Sequence, residues 1–179
     1  QKMTINTKSD KSIVTNGDLM VSSLLEKELK TLYPDHSIFS EENTTEIPTS
    51  NKVIVIDPID GTSNFANGLV TYGVMIGLLH HNKPVAGGIL LPSLGELFLG
   101  GEGSPATKNG AQVYVSTQNS LLNSLIAYGI DGHQENPAQT YQETRVLGEI
   151  ILHIRNLRST NSAYDMAKTI EGKYGLFLN

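Results

Sequence analysis

Asp57 and Asp60 flank Pro58-Ile59, directly after the β-branched apolar run Val53-Ile54-Val55-Ile56 and directly before Gly61-Thr62. Such a run reads as a strand buried on both faces. Proline fixes φ and stops the strand ladder, and Asp60-Gly61 makes a turn. Both carboxylates and the Ile59 carbonyl can then face one point. Hard oxygen donors on a stiff loop suit Mg²⁺, which demands near-octahedral geometry. With a short helix starting at Thr62 or Ser63, the Gly61 and Thr62 amides would hold a phosphate beside that cation. The same residues also fit a plain strand-ending turn, because Asp, Pro and Gly are all turn formers.

Two further acidic elements add to this one. Glu41 and Glu42 end a short strand at Ile38-Phe39, and Asp18 opens the first helix behind Val14-Thr15-Asn16-Gly17. Alone, each is ordinary: a charged helix N-terminus is common, and Glu-Glu is usually a solvated loop.

The elements that must position these groups follow from periodicity. Val21, Leu25, Leu29 and Leu32 recur at helical spacing, Thr15 or Asn16 can cap, and Pro34 ends the pattern. A helix over 17–33 is therefore predicted. Residues 43–51 form a polar loop around Pro48, and strand-like segments at 72–79, 85–91 and 96–99 suggest an antiparallel meander. Asn109-Gly110 is a strong hairpin signal and is expected to join 106–107 to 113–115. Beyond Ser120 strand and helix alternate: strand 124–128, helix 137–153, strand 156–160, helix 162–171 closed by Gly172, strand 174–178. Two domains are expected, an α+β one over 1–120 with the metal site and an α/β one beginning at 121.

Composition narrows the chemistry. Net charge is −5, from 13 Lys+Arg against 18 Asp+Glu, a poor footprint for a nucleic-acid partner. An anionic ligand would need a local device such as a bound cation. There is no cysteine, which removes disulfides, thiol nucleophiles and Cys-based metal sites. No apolar stretch approaches the ~20 residues of a membrane span. No basic-then-apolar leader opens the chain, so the expected compartment is the cytoplasm. Because the chain starts at Gln1, a trimmed N-terminus or missing first residues are expected.

Taken together, Val-Thr-x-x-Asp-Leu (14–19), Ser-Glu-Glu (40–42) and Ile-Asp-Pro-Ile-Asp-Gly-Thr-Ser-Asn-Phe (56–65) resemble the inositol monophosphatase family. Glu102-Gly103, Lys108-Asn109-Gly110 and Val115-Ser116 continue the match, which runs from about Lys8 to the last residue. The resemblance implies an α/β, layered αβαβα sandwich of the inositol monophosphatase/fructose-bisphosphatase type. It also implies Mg²⁺-dependent hydrolysis of a phosphate monoester, with inositol monophosphate or a similar sugar phosphate as the expected substrate. Fructose-1,6-bisphosphate, histidinol phosphate and 3′-phosphoadenosine nucleotides are substrates of relatives, and an inactive metal- or partner-binding relative is the other alternative. Relatives are commonly homodimers, so a homodimer is expected.

Carried over residue by residue, Glu41, Asp57, the Ile59 carbonyl and Asp60 resemble the metal ligands, and Asp18 with Thr62 resembles the pair that activates water. The Gly61 and Thr62 amides resemble the phosphate cradle. Glu41, Asp60, Ser63, Thr160, Asn161 and Ser162 complete the implied substrate contacts. Glu42 is a candidate for orienting a ligand, and Lys8 lies where relatives carry a lysine near the site. His80 and His81 read as a solvated turn, and Arg155 and Arg158 as an exposed face. Two departures stand out. The family's further metal-binding aspartate, in a Trp-Asp element, would fall after Asn179, and the chain has no Trp, so its C-terminal part is expected to be incomplete. The family's Gly-Ser/Thr-Ala-Ala element aligns, within one residue, with Thr160-Asn161-Ser162-Ala163. The bulkier first residue would change how closely the backbone approaches a sugar or inositol ring.

Overall fold

The computed structural model describes residues 4–7, 13–43, 46–130 and 132–179. They divide into two compact units, residues 1–112 and 113–179, so that the stretch 113–120 groups with the second. Lys8 lies outside the described residues.

In the first unit, β1 (Ile5–Thr7) pairs antiparallel with β2 (Ile13–Thr15), which leads into α1 (Asn16–Leu32). Thr15 caps α1, its hydroxyl accepting from the amides of Gly17 and Asp18, as the S/T-x-x-acid spacing favours. A seven-stranded sheet follows in chain order: β3 (Ser37–Ser40), β4 (Lys52–Asp60), β5 (Gly73–His80), β6 (Lys83–Leu91), β7 (Glu96–Gly101), β8 (Ser104–Lys108) and β9 (Ala111–Gln112). β3 and β4 are parallel and every later pair is antiparallel, so the predicted meander carries one parallel edge.

β4 holds the core. Val53, Ile54, Ile56 and Ile59 are buried, each burial being worth roughly 1.5–3 kcal/mol. β4 also departs from expectation, because it does not stop at Pro58. The ladder with β5 pairs Asp57 with Met75, breaks, and resumes at Asp60 opposite Gly73. Proline lacks the N–H a ladder needs and is accommodated at such a bulge. The Asp-Pro-Ile-Asp segment is thus a kinked strand rather than a free turn. The turn proper is Gly61, at φ 83°, before the short helix α2 (Thr62–Ala66).

The hairpin at Asn109-Gly110 forms, with φ 48° and 82° at the two positions. Its second strand is shorter than expected: it ends at Gln112, and Tyr114 and Val115 stand exposed outside any strand.

The second unit is a three-stranded parallel sheet ordered β11 (Asn156–Arg158), β10 (Leu125–Tyr128), β12 (Leu176–Leu178). Helices α3 (Pro137–Ile151) and α4 (Ala163–Ile170) make the two crossovers. Each strand is shorter than expected: Leu125–Tyr128 against 124–128, Asn156–Arg158 against 156–160, and Leu176–Leu178 against 174–178. Among the described residues no helix is long and apolar enough to cross a membrane.

Candidate functional site

Four acidic positions gather at the C-terminal end of β4. α1 packs on β3 and β4 and brings its first turn, with Asp18, to that end. β3 runs parallel to β4, so its exit delivers Glu41, whose amide bonds Ile56 O at 3.3 Å. β4 itself supplies Asp57 and Asp60.

Asp18 is fully buried and uses both carboxylate oxygens. Oδ2 accepts from the Thr15 amide (2.8 Å) and the Thr15 hydroxyl (2.5 Å). Oδ1 accepts from the Thr62 hydroxyl at 3.1 Å, and the same hydroxyl lies 3.0 Å from the Ile59 carbonyl. Close approach makes this possible: a Cβ on Gly17 would sit 2.9 Å from Phe65 Cε1, so glycine lets α1 and α2 meet.

Asp57 is the electrostatic centre. Its pKa is pushed up to about 8, first by burial and then by the charges of Glu41, Asp60, Glu42 and Asp18. Among the described residues, its Oδ1 is buried without a hydrogen-bond partner. A buried carboxylate oxygen left unbonded beside four like charges is the environment that a hard cation relieves. The donor set fits Mg²⁺: carboxylates, a backbone carbonyl, and no nitrogen or sulfur. Among the described residues no three His, Asp or Glu side chains close on a single point. Mg²⁺ draws part of its octahedron from carbonyl oxygens and water.

Gly61 and Thr62 stand at the start of α2, where no described side chain caps the first turn. Ser63 is exposed at its second position.

Thr160, Asn161 and Ser162 lie in the second unit, where β11 leads into α4. Asp165 Oδ2 accepts from the amides of Thr160 (2.9 Å) and Asn161 (3.0 Å), Asn161 adopts φ 51°, and Ser162 caps α4 through Tyr164 N. Arg158 turns back on its own strand, donating to Asn156 Oδ1 and Leu157 O, and His81 sits in the β5–β6 turn at φ 49°.

The model of the inositol monophosphatase family matches residues 1–179. The chain belongs to that family. This family member is 31% identical over 171 residues to inositol monophosphatase 2 of Solanum lycopersicum, covering 92% of this chain and 64% of the relative. It is 27% identical over 173 residues to a fructose-1,6-bisphosphatase/inositol-1-monophosphatase of Aquifex aeolicus, covering 96% and 65%. The structure of a Thermotoga maritima IMPase superposes with a TM-score of 0.85 at 25% identity, covering 96% of this chain and 64% of that one. The mixed α/β layered fold is therefore that of the family. The chain spans just under two thirds of the length of the curated relatives it matches.

Some neighbours of the acidic cluster carry no signal of that role in the sequence. Thr15 is legible only as a cap, yet it also occupies one oxygen of Asp18. Ser22 and Asn43 carry no signal at all, because their bonds join residues distant in sequence.

Proposed function

We propose that the acidic end of β4 is the hydrolytic site of a Mg²⁺-dependent phosphate monoester hydrolase, acting on inositol monophosphate or a similar sugar phosphate. The observation that carries this reading is the Thr62–Asp18 hydrogen bond beside the raised, buried carboxylate of Asp57.

Glu41, Asp57, Asp60 and the Ile59 carbonyl would hold the cation. Such a cation, when bound, offsets the carboxylate charge and polarises the phosphoryl group. The remaining work falls to the chain's own groups. Asp18 is held from one side by Thr15 and fixes the Thr62 hydroxyl on the other. With its proton directed at Asp18, Thr62 Oγ1 offers its lone pairs to a water. As that water attacks phosphorus, its proton passes to Thr62 while the threonine's own proton moves to Asp18 Oδ1. The amides of Gly61 and Thr62 donate to the phosphate oxygens, where charge builds. The P–O ester bond breaks, and the departing alkoxide takes a proton from solvent water and leaves as the alcohol. The proton on Asp18 returns to solvent, and inorganic phosphate remains.

Family membership supports phosphomonoester chemistry. The names of the two curated relatives supply inositol monophosphate and fructose-1,6-bisphosphate, and the family resemblance adds the other two substrates of the panel. Phosphate release should be measured on inositol monophosphate, fructose-1,6-bisphosphate, histidinol phosphate and a 3′-phosphoadenosine nucleotide, with Mg²⁺ and with chelator. Release from inositol or sugar phosphates that chelator abolishes is the expected result. Cleavage of the nucleotide alone would overturn the substrate class, and no release from any of them would overturn the activity.

A further inference from the structure

Ser22 lies one helical turn after Asp18 on α1 and is likewise fully buried. Its hydroxyl donates to Glu26 Oε1 at 3.0 Å, accepts from Asn43 Nδ2 at 3.0 Å, and meets Ser40 Oγ at 2.7 Å. A serine hydroxyl has one proton and two lone pairs, so with its proton on Glu26 the Ser40 hydroxyl must be the donor. The capacity of Ser22 is then fully used. Asn43 also donates to Glu26 Oε1, at 2.5 Å, and its amide bonds Ser40 O at 3.1 Å, closing a turn.

That turn contains Glu41 and Glu42. The residue before the acidic pair and the residue after it are fastened to one buried hydroxyl on the helix that carries Asp18. Both acids bear on Asp57, Glu41 more strongly than Glu42. Glu41 and Glu42 put two adjacent carboxylates beside a group whose ionised form they disfavour, so the turn that carries them needs an anchor to keep its place. We infer that Ser22, with Ser40, Asn43 and Glu26, is a positioning clip that fixes Glu41 toward Asp57 and ties its place to that of Asp18. This rests on the metal-ligand reading of Glu41 proposed above. Ser22 touches no reacting atom and acts only through Glu41.

The test is titration of Mg²⁺ alone into the substrate-free protein by calorimetry, for wild type, Ser22→Ala and Asn43→Ala. Groups that orient a metal ligand from outside typically carry 10–100-fold in affinity, so Ser22→Ala should weaken Mg²⁺ binding by roughly tenfold. Asn43→Ala, at an exposed position that does not threaten the fold, should weaken it in the same direction by less. At saturating Mg²⁺ both variants should regain turnover near the wild-type rate, which a merely misfolded protein would not do. Wild-type affinity in both variants overturns the clip, as does a Ser22→Ala protein that fails to fold while Asn43→Ala binds normally. If the wild type takes up no Mg²⁺, the metal-site reading fails and the clip falls with it.

Discussion

The Thr62 hydroxyl donates to Asp18 Oδ1 at 3.1 Å across 44 residues of sequence, while Thr15 occupies the other oxygen of the same carboxylate. The aspartate is thereby held from two sides, and in the mechanism proposed above it orients the threonine and receives its proton. That arrangement suits a relay better than a cation ligand.

Thr62→Val removes only this hydroxyl and keeps the shape of the residue. Turnover should fall by roughly 10²–10⁴, the usual worth of general-base help, while Mg²⁺ affinity and the circular dichroism spectrum stay as in the wild type. Parallel kinetics and calorimetry check this, and a variant with near-wild-type turnover would remove Thr62 from the proton path.

Asp57 loses its proton only near pH 8 in the folded chain, against 3.8 as its ordinary value. A carboxyl raised on folding stabilises most where both states hold the proton. Its contribution is therefore intact below pH 3.8 and is lost as pH climbs toward about 8. Melting temperatures of the chelated protein should decline across that window. Asp57→Asn should flatten the decline and abolish turnover.

The same shift links cation and proton. A ligating carboxylate must be deprotonated, so Mg²⁺ binding near pH 7 should release a proton from Asp57, and affinity should rise with pH and level off above about 8. Calorimetry in buffers of different ionisation enthalpy counts the protons. Equal heats in all buffers would show that Asp57 is already ionised.

Gly61 sits at φ 83°, a conformation that costs other residues about 1–2 kcal/mol. Gly61→Ala should lower stability by roughly that amount in urea melts and lower activity further, by displacing the Thr62 amide. A fully stable, fully active Gly61→Ala protein would show that the turn has freedom to relax.

Thr15→Ala removes the cap of α1 and one partner of Asp18. The cap alone is worth about 1 kcal/mol. Turnover should fall as well, because Asp18 Oδ2 then keeps only the residue-15 amide of its two partners, and the carboxylate is held less firmly toward Thr62. Loss of stability without loss of turnover would confine Thr15 to capping.

The β-branched run 53–56, the helical spacing from Val21 to Leu32 and the Asn109-Gly110 pair are local signals. A strand, a helix and a tight turn stand at those places, though not all with the expected bounds. The acidic motifs were equally legible, because residue type and order alone mark donors that suit a hard cation. Other features depended on the chain being folded. Whether Asp-Pro-Ile-Asp ends β4 or kinks it depends on β5, whose Gly73 takes up pairing with Asp60. The strand after Asn109-Gly110 stops at Gln112 because pairing with β8 ends there, not because the letters change. Whether Asp57 is an acid or a base at neutral pH depends on four charges and a degree of burial that no stretch of sequence contains. The role of Ser22 depends on the approach of α1 to the exit of β3, which brings residues 22, 40 and 43 to one hydroxyl. Sequence specifies types and local periodicity; long-range hydrogen bonds and the field at a buried oxygen exist only once distant segments share a volume.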